Sequence, residues 1–227
     1  MPREAPRQFP LNLPHEARLG PEDYLVAPAN AAAHALVTAW PAWPDRAVLL
    51  AGPAGSGKSH LAAIWREASG AEIAPDAAAA AQRLMASPGA AILLDDADRE
   101  QDERGLFHLL NAVREKGGHL LLTAASTPTL LWPKLPDLAS RLRALPVAQL
   151  DPPDEPTMRA VLVKLLDDRQ LKVEADVVEF IARRADRSLG AARALVEALD
   201  RESLARGRAV GRGLAADVIA RERQEDD

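Results

Sequence analysis

Cysteine is absent from the chain, and its absence excludes disulfides, thiolate zinc sites, iron–sulfur clusters and cysteine catalysis. Aromatic side chains make up only 4% of the 227 residues. The four tryptophans, at 40, 43, 65 and 132, read as packing residues near the ends of elements. Long apolar runs are missing too. The longest, such as Ala90 to Leu94 and Leu120 to Leu122, are far too short to cross a bilayer. The opening Met1-Pro2-Arg3-Glu4-Ala5-Pro6-Arg7 has no apolar stretch behind it to serve as a signal peptide, so a cytoplasmic protein with no membrane partner is expected. Basic residues are not in excess: 28 of them against 33 acidic ones leave a net charge of −5. That balance disfavours a strongly basic nucleic-acid binder, although a local patch stays possible. The five histidines, at 15, 34, 60, 108 and 119, show no zinc-ligand spacing.

What is present is an alternation. Prolines at 2, 6, 10 and 14 make residues 1–14 extended and mobile, within a flexible N-terminal segment over 1–20. Residues 21–30 read as a loop, and helical composition follows from Ala31 to Trp40. Short apolar runs at Ala47 to Ala51, Ala71 to Ala74, Ala90 to Leu94, His119 to Ala124 and Leu145 to Leu150 have the pattern of buried parallel strands. Helices are expected between them at residues 58–68, 77–85 and 103–115, the last closed by Gly117-Gly118. The sequence therefore predicts an α/β domain over 21–152, a parallel sheet with helices on both faces. After Asp151-Pro152-Pro153-Asp154 every segment has helical periodicity, which predicts a small all-α domain over 153–227 with no net positive charge.

Gly52-Pro53-Ala54-Gly55-Ser56-Gly57-Lys58-Ser59 fits the phosphate-loop pattern G-x-x-x-x-G-K-[ST], with a buried strand before it and a helix after it. Its glycines let backbone N–H groups and a helix N-terminus meet negative charge. In that chemistry, with ATP or ADP bound, Lys58 reaches the β-phosphate and, in ATP, the γ-phosphate, and the Ser59 hydroxyl holds Mg²⁺. A second acidic element, Ala90-Ala91-Ile92-Leu93-Leu94-Asp95-Asp96, ends a buried strand where open α/β sheets bind ligands. Asp95 is placed to join the Mg²⁺ shell, and Asp96 to orient or activate water.

Further segments carry a resemblance. Asp23-Tyr24-Leu25-Val26-Ala27-Pro28-Ala29-Asn30, followed by His34, resembles the nucleotide-side entry segment of the bacterial replication initiator DnaA. Leu135-Pro136-Asp137-Leu138-Ala139-Ser140-Arg141-Leu142 is similar to the arginine-finger segment of that AAA+ family. Asp151 to Asp154, leading to Arg159, resembles the start of the family's helical lid, and Arg193 to Leu199 its sensor-2 helix. The resemblance adds Leu25, Val26, His60 and Arg193 to the nucleotide-binding set and makes Arg141 an arginine finger acting in trans. It covers Pro21 to Ala205, with the motifs in the family's order. One departure stands at the sensor-1 position: Ala125 occupies the place of an expected polar group, with Thr123 or Ser126 as substitutes, so the chain's own ATPase is expected to be weak.

Neither the initiator's helix-turn-helix domain nor its N-terminal domain is expected in this chain. What remains resembles the Hda (HdaA) family of DnaA-homologous regulatory inactivators. That family carries a glutamine-led motif for the sliding clamp, the β subunit of DNA polymerase III, and Gln8-Phe9-Pro10-Leu11-Asn12-Leu13 fits it as an extended peptide with apolar side chains at pocket spacing. The resemblance implies a nucleotide-bound protein, ADP favoured, that is tethered to the clamp near the replisome and the nucleoid. There it stimulates ATP hydrolysis by DnaA and prevents re-initiation. Self-association into a homo-oligomer is compatible with it. The alternatives are an autonomous AAA+ ATPase and a DNA-associated helicase- or clamp-loading factor. Sequence-specific DNA binding is disfavoured by the acidic balance and the missing helix-turn-helix.

Overall fold

A computed structural model of the chain describes residues 20–129 and 132–225. The described residues divide into two compact units, one ending at Pro152 and one beginning at Pro153. The expected motif Gln8 to Leu13 lies outside the described residues.

The first unit is built on five parallel strands: β1 (Ala47–Ala51), β2 (Glu72–Ala74), β3 (Ala91–Leu94), β4 (His119–Ala124) and β5 (Val147–Gln149), in the order β2-β3-β4-β1-β5. All five residues of β1 are buried, as a strand covered on both faces requires. Alternate residues divide the core. Leu49, Ile92, Leu94, Leu120 and Leu122 pack with α3 (Ala77–Ala86), α4 (Glu103–Lys116) and α5 (Pro136–Ala144). Val48, Leu50, Leu93 and Leu121 pack with α1 (Ala31–Thr38) and α2 (Lys58–Ser69) on the other face.

Local chemistry sets the helix ends. Asp76 accepts a hydrogen bond from the Ala79 N–H at 2.7 Å to start α3, and Asp102 accepts one from the Gly105 N–H at 2.9 Å to start α4. Gly117, at φ 74°, closes α4 in the left-handed region.

The alternation expected from the sequence is present, with β5 and β2 shorter than the apolar runs that announced them. Helix α5 is an addition. Its apolar stripe is only Leu138, Ala139 and Leu142, too short to stand out as periodicity, although Pro136 in its first turn is an ordinary helix-start signal.

The second unit holds α6 (Glu155–Asp168), α7 (Ala175–Arg184), α8 (Leu189–Arg206) and α9 (Arg212–Glu225) around a core that includes Met158, Leu162, Ile181, Val196, Leu199 and Val218. Its first helix is capped by Asp154, which accepts from the Thr157 N–H at 2.9 Å. Hydrogen bonding from Thr157 holds the Asp154 carboxyl below its usual range. No described helix is long and apolar enough to cross a membrane.

Candidate functional site

The loop between β1 and α2 carries the phosphate-loop sequence at the carboxyl end of the sheet. The Gly52 N–H donates to the Ala124 carbonyl at 3.1 Å, which ties the start of the loop to the end of β4. A Cβ built on Gly52 would lie 2.5 Å from the Leu150 carbonyl oxygen and 2.8 Å from Ser56 Oγ, so this position admits no side chain. Gly55 and Gly57 adopt φ of 70° and 102°, and Gly57 is the cap from which α2 begins. Lys58 Nζ donates to the Gly52 carbonyl at 2.5 Å and the Pro53 carbonyl at 2.9 Å, which places its charge over the loop. Ser59 is exposed one residue further on, Pro53 and Ala54 are exposed on the loop's outer side, and Ser56 Oγ is buried without a partner among the described residues.

Across β4 from this loop, β3 delivers Asp95 and Asp96. Thr123, fully buried near the end of β4, donates its hydroxyl to the Asp95 carboxylate and accepts the Asp96 N–H at 2.8 Å. Asp96 adopts φ 49°, a conformation that Asp tolerates better than most residues, and its carboxylate lies 3.1 Å from Arg99. One residue past β4, the Ala125 N–H donates to Asp98 at 2.9 Å. The polar side chain that reaches the acidic pair is therefore Thr123, two residues before Ala125.

The entry segment packs against the first turn of α2. Tyr24 stacks on His34 with ring centroids 5.4 Å apart and meets His60 edge-on at 5.1 Å, while His60 Nε2 lies 3.0 Å from the Gly20 carbonyl oxygen. Burial pushes the Tyr24 phenol up to about 12. Asn30 folds the segment back on itself: its Nδ2 donates to the Leu25 carbonyl at 2.9 Å and its Oδ1 accepts the Ala27 N–H at 2.8 Å. Between them Val26 is left 51% exposed.

Gly52 to His60, Leu25, Val26, Asp95 and Asp96 thus belong to one end of one unit. Ser59 and Asp95 are the oxygen donors able to hold a divalent cation there. Two protein oxygens suit Mg²⁺, which completes its shell with water and phosphate oxygens. The described residues contain no group of three or more His, Cys, Asp or Glu able to hold a metal by themselves. The side-chain-free approach at Gly52, the partnerless Ser56 hydroxyl and the ammonium of Lys58 fit a phosphate group.

Arg141 is not at this end. It lies half-buried on α5 and lines a shallow depression with Asp45, Ala47, Leu110, Asn111, Arg114 and Leu145. Ala47 opens β1, whereas the phosphate loop follows Ala51 at its close. A five-residue strand, roughly 16 Å long, separates the two positions. Arg141 has no hydrogen bond or ion pair among the described residues. Arg193 stands half-buried on α8 of the helical unit.

The network joining Asp95, Asp96 and Thr123 and the ring cluster around Tyr24 depend on residues far apart in sequence. A polar residue near the end of the strand that follows the acidic pair is the sequence signal for Thr123.

No protein-family model matches the chain. Among curated proteins it is 31% identical over 106 residues to the chromosomal replication initiator protein DnaA of Thermomicrobium roseum, covering 43% of this chain and 22% of that protein. It is 32% identical over 96 residues to the DnaA of a Synechococcus species, covering 40% of this chain and 20% of the relative. The matches thus span about a fifth of these relatives' length. Among solved structures, domain III of the Thermotoga maritima replication initiation protein DnaA matches with a TM-score of 0.72 and 22% identity, covering 87% of this chain and 93% of that one. AMPPCP-bound DnaA from Aquifex aeolicus matches with a TM-score of 0.67 and 15% identity over 90% of this chain and 68% of that one. The RuvB Holliday junction branch migration motor of Thermotoga maritima matches at 0.62 and 18%, over 76% and 60%. The chain has the AAA+ fold, and its sequence is similar to DnaA over less than half its length.

Proposed function

We propose that the chain is a nucleotide-bound regulator of chromosome replication initiation, of the Hda kind, that stimulates ATP hydrolysis by the initiator DnaA while tethered to the sliding clamp. The observation that carries this reading is the position of Arg141. It lies at the end of the sheet away from the chain's own phosphate loop, and no described acid engages it. A guanidinium so placed is suited to a phosphate held by another molecule, where an arginine finger stabilises charge on the transferring phosphoryl group. Similarity to DnaA supports the choice of partner.

In this reading the chain holds ADP or ATP at its own carboxyl edge. The loop N–H groups and Lys58 bind the phosphates, Ser59 and Asp95 hold Mg²⁺, and Leu25 and Val26 lie on the entry side. Bound Mg²⁺ supplies neutralisation of phosphate charge. Thr123 fixes Asp95 in place, and Asp96 lies beside the same site with its carboxylate shared with Arg99. Arg193, on α8, is the nucleotide contact that the resemblance implies for the helical unit. Residues 8–13 dock as an extended peptide in a clamp pocket, which raises the local concentration of the regulator near replicating DNA.

The test is ATP turnover by the cognate initiator with clamp loaded on DNA. Turnover is expected to rise only when chain and clamp are both present, and alanines across Gln8 to Leu13 are expected to remove the rise. Turnover by the chain alone, equal with and without initiator, would overturn the reading. It would favour the autonomous ATPase, for which the Thr123 contact to Asp95 is the supporting observation.

A further inference from the structure

Two guanidiniums and one carboxylate line the depression on α5. Asp45 is the sole acid among its lining residues, and Arg114 and Arg141 are the two bases. Arg114 Nη2 donates to Asp45 Oδ1 at 2.8 Å, joining the last turn of α4 to the turn before β1. A second tie reinforces that corner: the adjacent Arg46 donates through Nη1 to the Gly117 carbonyl at 2.9 Å. The carboxylate is thereby committed. Arg141 lines the same depression with no acid engaged to it among the described residues.

We infer that Arg114 is a positioning residue for Arg141: by holding Asp45 it keeps the Arg141 guanidinium available for a phosphate anion on a partner molecule. This rests on the proposed trans role of Arg141. The physical argument is competition for one carboxylate. An uncommitted acid lining the depression attracts the nearest guanidinium, and a paired one attracts it weakly. Side-chain exposures of 44% for Arg114 and 34% for Asp45 mark an exchangeable surface pair, which adds little to folding stability. Its consequence lies in where the remaining charge goes. With Asp45 paired to Arg114, the depression keeps one guanidinium without an acid, that of Arg141, for an incoming phosphate.

The experiment compares four forms of the full chain in the initiator turnover assay with clamp on DNA: intact, Arg114→Gln, Asp45→Asn, and the two substitutions together. Maximal stimulation and the half-saturating concentration are read separately. Arg114→Gln is expected to lower maximal stimulation about fivefold, the factor that a surface pair of about 1 kcal/mol redistributes. The half-saturating concentration stays unchanged. Asp45→Asn is expected to stimulate like the intact chain, and the double substitution to return to that level, because the competing acid is gone. A merely structural tie predicts the opposite, a double variant at least as impaired as Arg114→Gln. Full stimulation by Arg114→Gln, or failure of the double variant to recover, overturns the inference.

An Arg141→Ala chain that stimulates fully points instead to failure of the trans reading itself. Should Arg114→Gln not fold, the exchange Asp45→Arg with Arg114→Asp preserves the pair. It is expected to stimulate normally, and a loss there also counts against the inference.

Discussion

At the carboxyl ends of the strands polar groups hold one another: Thr123 bridges Asp95 and Asp96, Asp98 takes the Ala125 N–H, and Lys58 rests on two loop carbonyls. At the amino ends the arrangement is sparser. Asp45 and Arg114 neutralise each other, Arg46 reaches the Gly117 carbonyl, and Arg141 is left over. One edge is organised around an internal ligand site, with its groups held by backbone geometry. The other carries a guanidinium, Arg141, with no acid engaged to it among the described residues. The same parallel sheet thus has two chemically different edges, one with the phosphate loop and one with an unpaired cation.

The largest effect expected from breaking this comparison is at the amino edge. Arg141→Ala should reduce stimulation of initiator turnover by about 10³–10⁵, the worth of an arginine finger, with the chain's thermal unfolding unchanged. A smaller effect is expected at the carboxyl edge. Thr123→Val keeps the shape of the side chain but leaves the part-buried Asp96 N–H without its acceptor, at a cost of about 1 kcal/mol in chemical denaturation. Mg²⁺-dependent nucleotide affinity should fall with it, because Asp95 loses the hydroxyl that orients it.

The smallest effect concerns how the entry segment is held. The Tyr24 hydroxyl is buried without a partner among the described residues, so Tyr24→Phe should leave stability at neutral pH almost unchanged. The two proteins should separate in alkali. The folded-state value of about 12 exceeds the unfolded value of 10.0, so the stability tied to the neutral phenol is complete below pH 10 and is lost as pH rises through about 12. Unfolding midpoints across that window should drop further for the intact chain than for Tyr24→Phe. Tyr24 is the only tyrosine, so tyrosinate absorbance reports it alone.

The two edges also differ in how far the sequence discloses them. The phosphate loop and Asp95 are contiguous motifs on the ends of apolar strands, and the geometry they need is local, so the spacing alone points to them. Thr123 stood as one of two substitutes for a missing polar group. Choosing it over Ser126 required knowing that the β4 register aims it at Asp95. The amino edge is harder. Asp45 and Arg114 lie 69 residues apart, and nothing in either segment announces the other. Only resemblance marks Arg141, and the three apolar residues of its helix make a stripe too short to show as periodicity. The packing of Tyr24 against His34 and His60 likewise belongs to the fold and not to any local pattern.

The most direct test of the two-edge account is nucleotide binding by the chain alone, measured for the intact protein, Lys58→Ala and Arg141→Ala. Lys58→Ala should weaken binding by about tenfold to a hundredfold, as expected for a lost hydrogen bond to a charged group. Arg141→Ala should bind as the intact chain does. Weakened binding by Arg141→Ala, or unchanged binding by Lys58→Ala, would contradict the division of labour between the two ends of the sheet.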